Sequence, residues 1–278
     1  MQNFTTKTEL AAYLSKITKE KTIGFIPTMG ALHQGHLSLI EESHKKCDIT
    51  ICSIFVNPTQ FNNASDLVNY PNTINADFKK LEQLACDIVY TPAIEDLYEN
   101  EEKVKTFDFG SLTTSMEGEF RPGHFIGMAT IVEKLFNIIQ PTIAFFGQKD
   151  LQQLQIVKAL VKQMKSTIKI EGMPTIREKN GLAKSSRNEL LSENAKKEAI
   201  LIYNSLSYCK NNKKKGIPYL KHYITRQFEQ HENFKLEYAE IVALNTMRPI
   251  EGWKRENENA ICISAYHSGV RLIDNIIL

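Results

Sequence analysis

The run Ile49-Thr50-Ile51-Cys52-Ser53-Ile54-Phe55-Val56 constrains this chain more than any other segment. It is too continuously apolar for a strand with one wet face. A strand of that kind is covered on both sides, as in a parallel sheet flanked by helices. The surrounding sequence keeps the same rhythm up to about residue 175. Strand-like runs over 22–27, 87–90, 142–146 and 168–170 alternate with helical stretches over 36–46, 76–85, 127–139 and 151–164. Leu37, Ile40 and His44 follow one side of the first of these helices, and Phe78, Leu81 and Leu84 recur at helix spacing in the second. Right-handed crossovers then give an α/β fold, a Rossmann-like doubly wound parallel sheet. Ligands in such sheets sit beyond the carboxyl ends of the strands, where the strand order reverses.

The last hundred residues lose this alternation. Helices over 192–210 and 218–230 precede strands over 235–244, 260–266 and 270–274, the pattern of a smaller C-terminal α+β domain. The expected division is residues 1–174 and 175–278. The Lys213-Lys214-Lys215 run between the two helices reads as a solvated turn.

Thirty-four Lys and Arg stand against 32 Asp and Glu, a formal charge of +2. That balance excludes a broad basic surface for nucleic acid or membrane, while leaving room for a local basic pocket. No apolar run approaches the roughly 20 residues that span a bilayer. The opening Met1 to Lys7 lacks the basic-then-apolar layout of a secretion signal. A soluble, cytoplasmic protein without nucleic-acid or membrane partners is expected. The five cysteines form no C-x-x-C pair, and Cys52 and Cys262 read as small buried hydrophobes in a reducing compartment.

Four loops carry the chemistry. The first, Pro27-Thr28-Met29-Gly30-Ala31-Leu32-His33-Gln34-Gly35-His36, leads from a strand into a helix. Its glycines allow tight turning and close approach to a ligand. The helix start offers unpaired N–H groups and a positive dipole end, and His33 and His36 can each donate to phosphate oxygens. A zinc reading of the two histidines lacks a third ligand nearby in sequence. In the second loop, Val56-Asn57-Pro58-Thr59-Gln60, the Gln60 amide can read a hydroxyl or carboxylate without adding charge. In the third, Gly147-Gln148-Lys149-Asp150, the lysine can neutralise phosphate, and Asp150 can cap the helix or take ribose hydroxyls. The fourth, Lys184-Ser185-Ser186-Arg187, has the composition of a phosphate clamp.

Together these loops resemble a known family. The His33-to-His36 segment resembles the H-x-G-H motif of the nucleotidyltransferase superfamily that includes class I aminoacyl-tRNA synthetases, and Lys184-Ser185-Ser186-Arg187 its K-M-S-K-S-type loop. With Asn57-Pro58-Thr59-Gln60-Phe61, Tyr70-Pro71, Arg121-Pro122-Gly123-His124-Phe125 and Arg271-Leu272-Ile273-Asp274-Asn275, the chain from about Thr22 to its end resembles the pantothenate synthetase (pantoate–β-alanine ligase) family. The resemblance implies condensation of pantoate with β-alanine through a pantoyl-adenylate, with ATP as co-substrate and Mg2+ beside it, in a homodimer. It implies His36, His33 and Lys149 as catalytic residues, with Met29, Gly30, His33, His36, Gly147, Gln148, Lys149, Asp150, Ile176, Lys184, Ser185, Ser186 and Arg187 at ATP. It implies pantoate on Gln60 and Gln153, and Asp77 on the magnesium side of the pyrophosphate. The resembling family usually has Glu where Gln148 stands and usually an apolar residue where Lys184 stands. The role of Arg121 and His124 stays open.

Two other readings compete. A nucleotidyltransferase of the same superfamily with a phosphorylated acceptor would favour Arg or Lys where this chain has Gln60 and Gln153. A non-catalytic nucleotide sensor would not need both histidines and the clamp.

Overall fold

The computed structural model describes residues 1–16, 20–62, 64–98 and 106–278. Six parallel strands form one sheet in the order β1-β4-β3-β2-β5-β6: β1 (Gln2–Phe4), β2 (Ile23–Thr28), β3 (Ile49–Ile54), β4 (Ile88–Tyr90), β5 (Ile143–Gly147) and β6 (Lys169–Met173). All six residues of β3 are buried, as its continuous apolar character requires. Side chains alternate across the sheet. On one face Ile26, Cys52, Ile54, Val89 and Phe145 pack with Leu39, Ile40 and Leu81 from the helices. On the other, Phe25 meets the Phe136 ring edge-on from helix His124–Ile139. Cys52 and Cys262 are core residues; burial raises both thiols, and those of Cys86 and Cys209 go up to about 12.

The strand order reverses between β2 and β5, since β3 follows β2 on one side and β5 pairs with it on the other. The carboxyl ends of these two strands are therefore the switch point. Gly24 of β2 is bare for a packing reason: a Cβ there would lie 2.0 Å from Ser43 Oγ of helix Gln34–Lys46.

Three local expectations change. Helix Gln34–Lys46 buries Leu39, Ile40 and Ser43, while Leu37 is half-buried and His44 exposed. Gly123, at φ +81°, starts the next long helix at His124 and not at Gly127. The stretch read as one helix over 192–210 is two, Glu193–Glu198 and Ile200–Asn211, meeting at fully buried Ala199. The edge strand β1 and helix Lys7–Leu14 lie before the first element that the sequence pattern announces.

The chain forms two compact units. The first holds residues 1–109, 121–148 and 156–174, and the second 110–120, 149–155 and 175–278. A single cut after Pro174 is thus too simple, because 110–120 and 149–155 join the C-terminal unit. Side-chain bonds explain it. Gln152 donates to the carbonyls of Leu112 (2.8 Å) and Ser115 (2.9 Å) and accepts from Glu117 N–H (3.1 Å). Arg271 in turn pairs with Glu117 and Glu237. The body of this unit is an antiparallel sheet, β7 (Phe234–Ala243), β8 (Asn259–His267) and β9 (Val270–Ile277), with Leu206, Leu220 and Ile224 packed on Ile241, Ile261 and Ile263.

Candidate active site

In the first unit the loop after β2 is held from below. Gly30 (φ +79°) and Ala31 (φ +49°) are both left-handed, which turns successive N–H groups the same way. Asp77, with no solvent exposure, receives them: Ala31 N–H at 2.9 Å on Oδ2 and Leu32 N–H at 2.7 Å on Oδ1. Thr73 Oγ1 adds a bond at 3.1 Å, and Lys80 from the same helix donates to the Leu32 carbonyl. A Cβ on Gly30 would stand 3.1 Å from Ile54 and 3.2 Å from Asp77. Asp77 is therefore a brace of the loop. Each Asp77 oxygen accepts a backbone N–H and the side chain has no solvent exposure, so what the structure shows of it is the bracing role. Among the described residues no group of three or more His, Cys, Asp or Glu side chains converges as a metal site.

The histidines cap the helix that follows. His33 is the N-cap, and its Nδ1 accepts the Gly35 N–H at 3.1 Å. His36, three residues on, accepts the His33 N–H on its Nδ1 at 3.3 Å. This is a capping box made of imidazoles. The rings lie 4.1 Å apart, tilted by 32°. Gly35 leaves room for the His33 ring in this position, where a Cβ would come within 2.8 Å of it. An Nδ1 that accepts carries no proton, so each neutral ring keeps its N–H on Nε2. Each ring thus carries its proton on Nε2, the nitrogen turned away from the backbone bond.

Gln60 ends the turn Pro58–Gln60 beyond β3 and is 8% exposed. Its Oε1 accepts from Asn57 Nδ2 at 3.3 Å and its Nε2 lies 2.9 Å from Met29 Sδ, which joins two of the expected site residues. Asn57, which sequence reading passes over, is buried with both amide atoms engaged: Nδ2 also reaches the Gly127 carbonyl at 3.1 Å, and Oδ1 accepts from Tyr98 at 2.8 Å and Thr59 at 3.1 Å. Gly147 closes β5, and a Cβ on it would meet nothing within 4 Å. Its bareness thus answers to no packing partner and suits close approach of a ligand. Gln148 follows it, half-buried.

The remaining expected residues belong to the second unit. Lys149 pairs with Asp150 at 3.3 Å, and its carbonyl accepts from Asn275 Nδ2 at 2.7 Å. Gln153 is half-buried in the first turn of helix Leu151–Gln163. The clamp loop springs from a hairpin closed by an Arg177–Ala183 bridge, with Ile176 accepting from Lys184 N–H at 3.0 Å. Arg177 stacks on Tyr203 (4.3 Å) and grips Asp274 with both guanidinium nitrogens. Burial raises the Asp274 carboxyl, against the opposing pull of Arg177. Within the loop, Ser185 Oγ accepts the Arg187 N–H at 3.3 Å, Ser186 is buried, and Lys184 pairs with Glu178 at 2.7 Å. The Asp-Asn pair of the terminal strand is thus a working part of this unit; its only sequence signal is the Arg271-to-Asn275 motif.

The family model described as pantoate–β-alanine ligase matches residues 2–277. The pantothenate synthetase of Flavobacterium psychrophilum is 45% identical over 278 residues, covering 99% of each chain, and that of Christiangramia forsetii 44% identical over 283 residues, covering 100% of this chain and 99% of its own. The crystal structure of the Thermus thermophilus pantothenate synthetase superposes with a TM-score of 0.93 at 33% identity, over 100% of this chain and 99% of that one. The Francisella tularensis pantoate–β-alanine ligase, solved with beta-gamma ATP and β-alanine, gives 0.84 at 35% identity, over 100% and 97%. The chain belongs to the pantoate–β-alanine ligase family of enzymes.

Proposed function

We propose that this chain condenses pantoate with β-alanine in two steps. The pantoate carboxylate attacks the α-phosphorus of ATP, forming pantoyl-adenylate and releasing pyrophosphate. The β-alanine amine then attacks the acyl carbon, loses a proton and expels AMP, leaving pantothenate. Neither step needs a protein nucleophile. Both need reactants held in line and developing charge met by fixed donors.

The observation that carries this reading is the pair of imidazoles oriented through Nδ1 by the backbone. Their Nε2–H groups are donors whose direction is set before ATP arrives, so little reorganisation is needed as negative charge moves onto the phosphates. His36 is assigned the leading donor role and His33 the supporting one. Met29, Gly30, Gly147 and Gln148 are assigned to the nucleotide, as is the backbone of Ile176. Lys149 and Arg187 bring positive charge to phosphate, Ser185 and Ser186 bring hydroxyls, and Asp150 is assigned to ribose. Gln60 and Gln153 are assigned to pantoate. A neutral amide holds a hydroxy acid without locking its carboxylate in an ion pair, which keeps that carboxylate nucleophilic. Magnesium accompanies ATP with no carboxylate of this chain assigned to it.

Pyrophosphate exchange into ATP tests the reading. Exchange should require added pantoate and proceed without β-alanine. Exchange without pantoate, or exchange driven by a phosphorylated acceptor, would indicate the other superfamily chemistry. A homodimer in the cytoplasm completes the proposal, and sedimentation at two concentrations checks the dimer.

A further inference from the structure

The Arg121-Pro122-Gly123-His124 motif has no part in the reading above, yet it converges on Gln60. His124 opens helix His124–Ile139 and is 5% exposed. Its Nδ1 lies 2.7 Å from the main-chain carbonyl of Gln60, and its Nε2 lies 3.1 Å from Arg121 Nη1. Arg121 Nη2 reaches the same carbonyl at 3.3 Å. A carbonyl can only accept and a guanidinium can only donate. His124 is therefore neutral with its proton on Nδ1, and the donor direction runs from Arg121 to His124 to the Gln60 carbonyl.

Two glycines make this possible. Gly123, at φ +81°, turns the chain so that residues on both sides of it point back at one oxygen. Gly127, one helical turn on, is bare where a Cβ would stand 2.2 Å from the Thr59 carbonyl, so the 58–60 turn lies directly on the helix. Asn57 ties the Gln60 amide to that same helix by its bonds to Gln60 Oε1 and the Gly127 carbonyl. Both ends of Gln60 are thus fixed from one platform.

We propose that Arg121 and His124 are positioning residues for the hydroxy acid: they aim the Gln60 amide at pantoate by holding the Gln60 main-chain carbonyl. The proposal rests on the assignment of pantoate to Gln60. The platform restricts the amide before the ligand binds, so its loss should raise the KM for pantoate and spare that for ATP. A residue that merely stabilised the helix start would move neither selectively.

The test compares Gln60→Ala, His124→Leu, His124→Asn and Arg121→Lys by steady-state kinetics in both substrates, with melting temperature as the control for folding. His124→Leu should raise the pantoate KM about tenfold, the cost of one buried hydrogen bond, with the ATP KM within about twofold. His124→Asn places an amide N–H near the position of Nδ1 and should bring the pantoate KM back to within about threefold, by the same single-bond reckoning. Arg121→Lys loses the fork that reaches His124 and the carbonyl together, and should raise the pantoate KM severalfold at an unchanged melting temperature. That variant decides the matter should His124→Leu fail to fold. An unchanged pantoate KM in His124→Leu and Arg121→Lys overturns the proposal, as do parallel rises in both KM values that His124→Asn does not repair. Gln60→Ala separates the two layers. If it leaves the pantoate KM unchanged, the assignment of Gln60 fails and the proposal falls with it. If it raises that KM while the His124 and Arg121 variants do not, only the positioning role fails.

Discussion

The two units hold their candidate site residues in different ways. In the first, the loop between β2 and its helix is bonded residue by residue: Gly30 to Thr28, Ala31 and Leu32 to Asp77, His33 to His36, Gly35 to His33. In the second, order is concentrated at the root. Arg177, Asp274 and Asn275 fix the base of the hairpin and the Lys149 backbone, while Lys184, Ser185 and Arg187 beyond it are half-exposed. Fixed donors suit the charge that develops in a transition state. A loop whose two-pronged ion pair lies at its base, with shorter local bonds beyond it, suits ligand contacts that form on binding. Substitutions in the loop after β2 should therefore cost turnover, and those at the root of the clamp hairpin nucleotide affinity.

His36→Ala gives the largest expected effect. It removes the Nε2–H donor, and kcat should fall about 10²–10³-fold, as for loss of one preorganised donor. A variant within tenfold of normal turnover breaks the catalytic assignment and with it the contrast between the units. Asp77→Ala comes next. It strands two buried N–H groups at a cost of about 1–3 kcal/mol each, so both melting temperature and kcat should drop, the latter by tens of fold. Raising the magnesium concentration tenfold should restore nothing. Restoration by magnesium would return Asp77 to the metal and leave the loop without its brace.

In the second unit, Asp274→Asn leaves the Arg177 guanidinium without its full counter-charge. Loss of a partner from a buried pair costs about 3–5 kcal/mol when complete, and the Asn oxygen retains part of it. The expected outcome is a lower melting temperature and an ATP KM raised about tenfold, with kcat at saturation nearly kept. A fall in kcat with no change in ATP KM would show the two units to be built alike.

The sequence disclosed the sheet because a strand buried on both faces has no polar alternation to hide behind, and Ile49 to Phe55 could fold in few other ways. The site loops were visible for a related reason. Gly30 and Gly35 mark torsional and steric demands that sequence alone suggests, and His33 and His36 stand at a helix start, which the fold shows them to cap. The polar braces were not legible. Asp77 looks like any first-turn carboxylate, and only the tertiary fold brings Ala31 and Leu32 to it from 45 and more residues away. Gln152 and Gln153 differ by one position on a helix, and nothing local says that the first holds residues 110–120. Bonds between distant residues leave no spacing in a sequence.

Lys184 sharpens the comparison with the smallest effect. Its cation, three residues before Arg187, invites a role at the ATP phosphates. Its ammonium is, however, 2.7 Å from Glu178, and its side chain is only 23% exposed. A contact to phosphate would compete with that partner for the ammonium's three donors, so its gain is reduced by an ion pair already made. Partly exposed pairs contribute about 0–1 kcal/mol. Lys184→Ala should therefore raise the ATP KM only about two- to threefold, leave kcat and the pantoate KM in place, and lose its effect at high salt. Glu178→Gln supplies the sign. By freeing the ammonium it should lower the ATP KM if Lys184 serves the nucleotide. An unchanged ATP KM in both variants would leave Lys184 as a surface pair at the hairpin and confine the clamp to Ser185, Ser186 and Arg187.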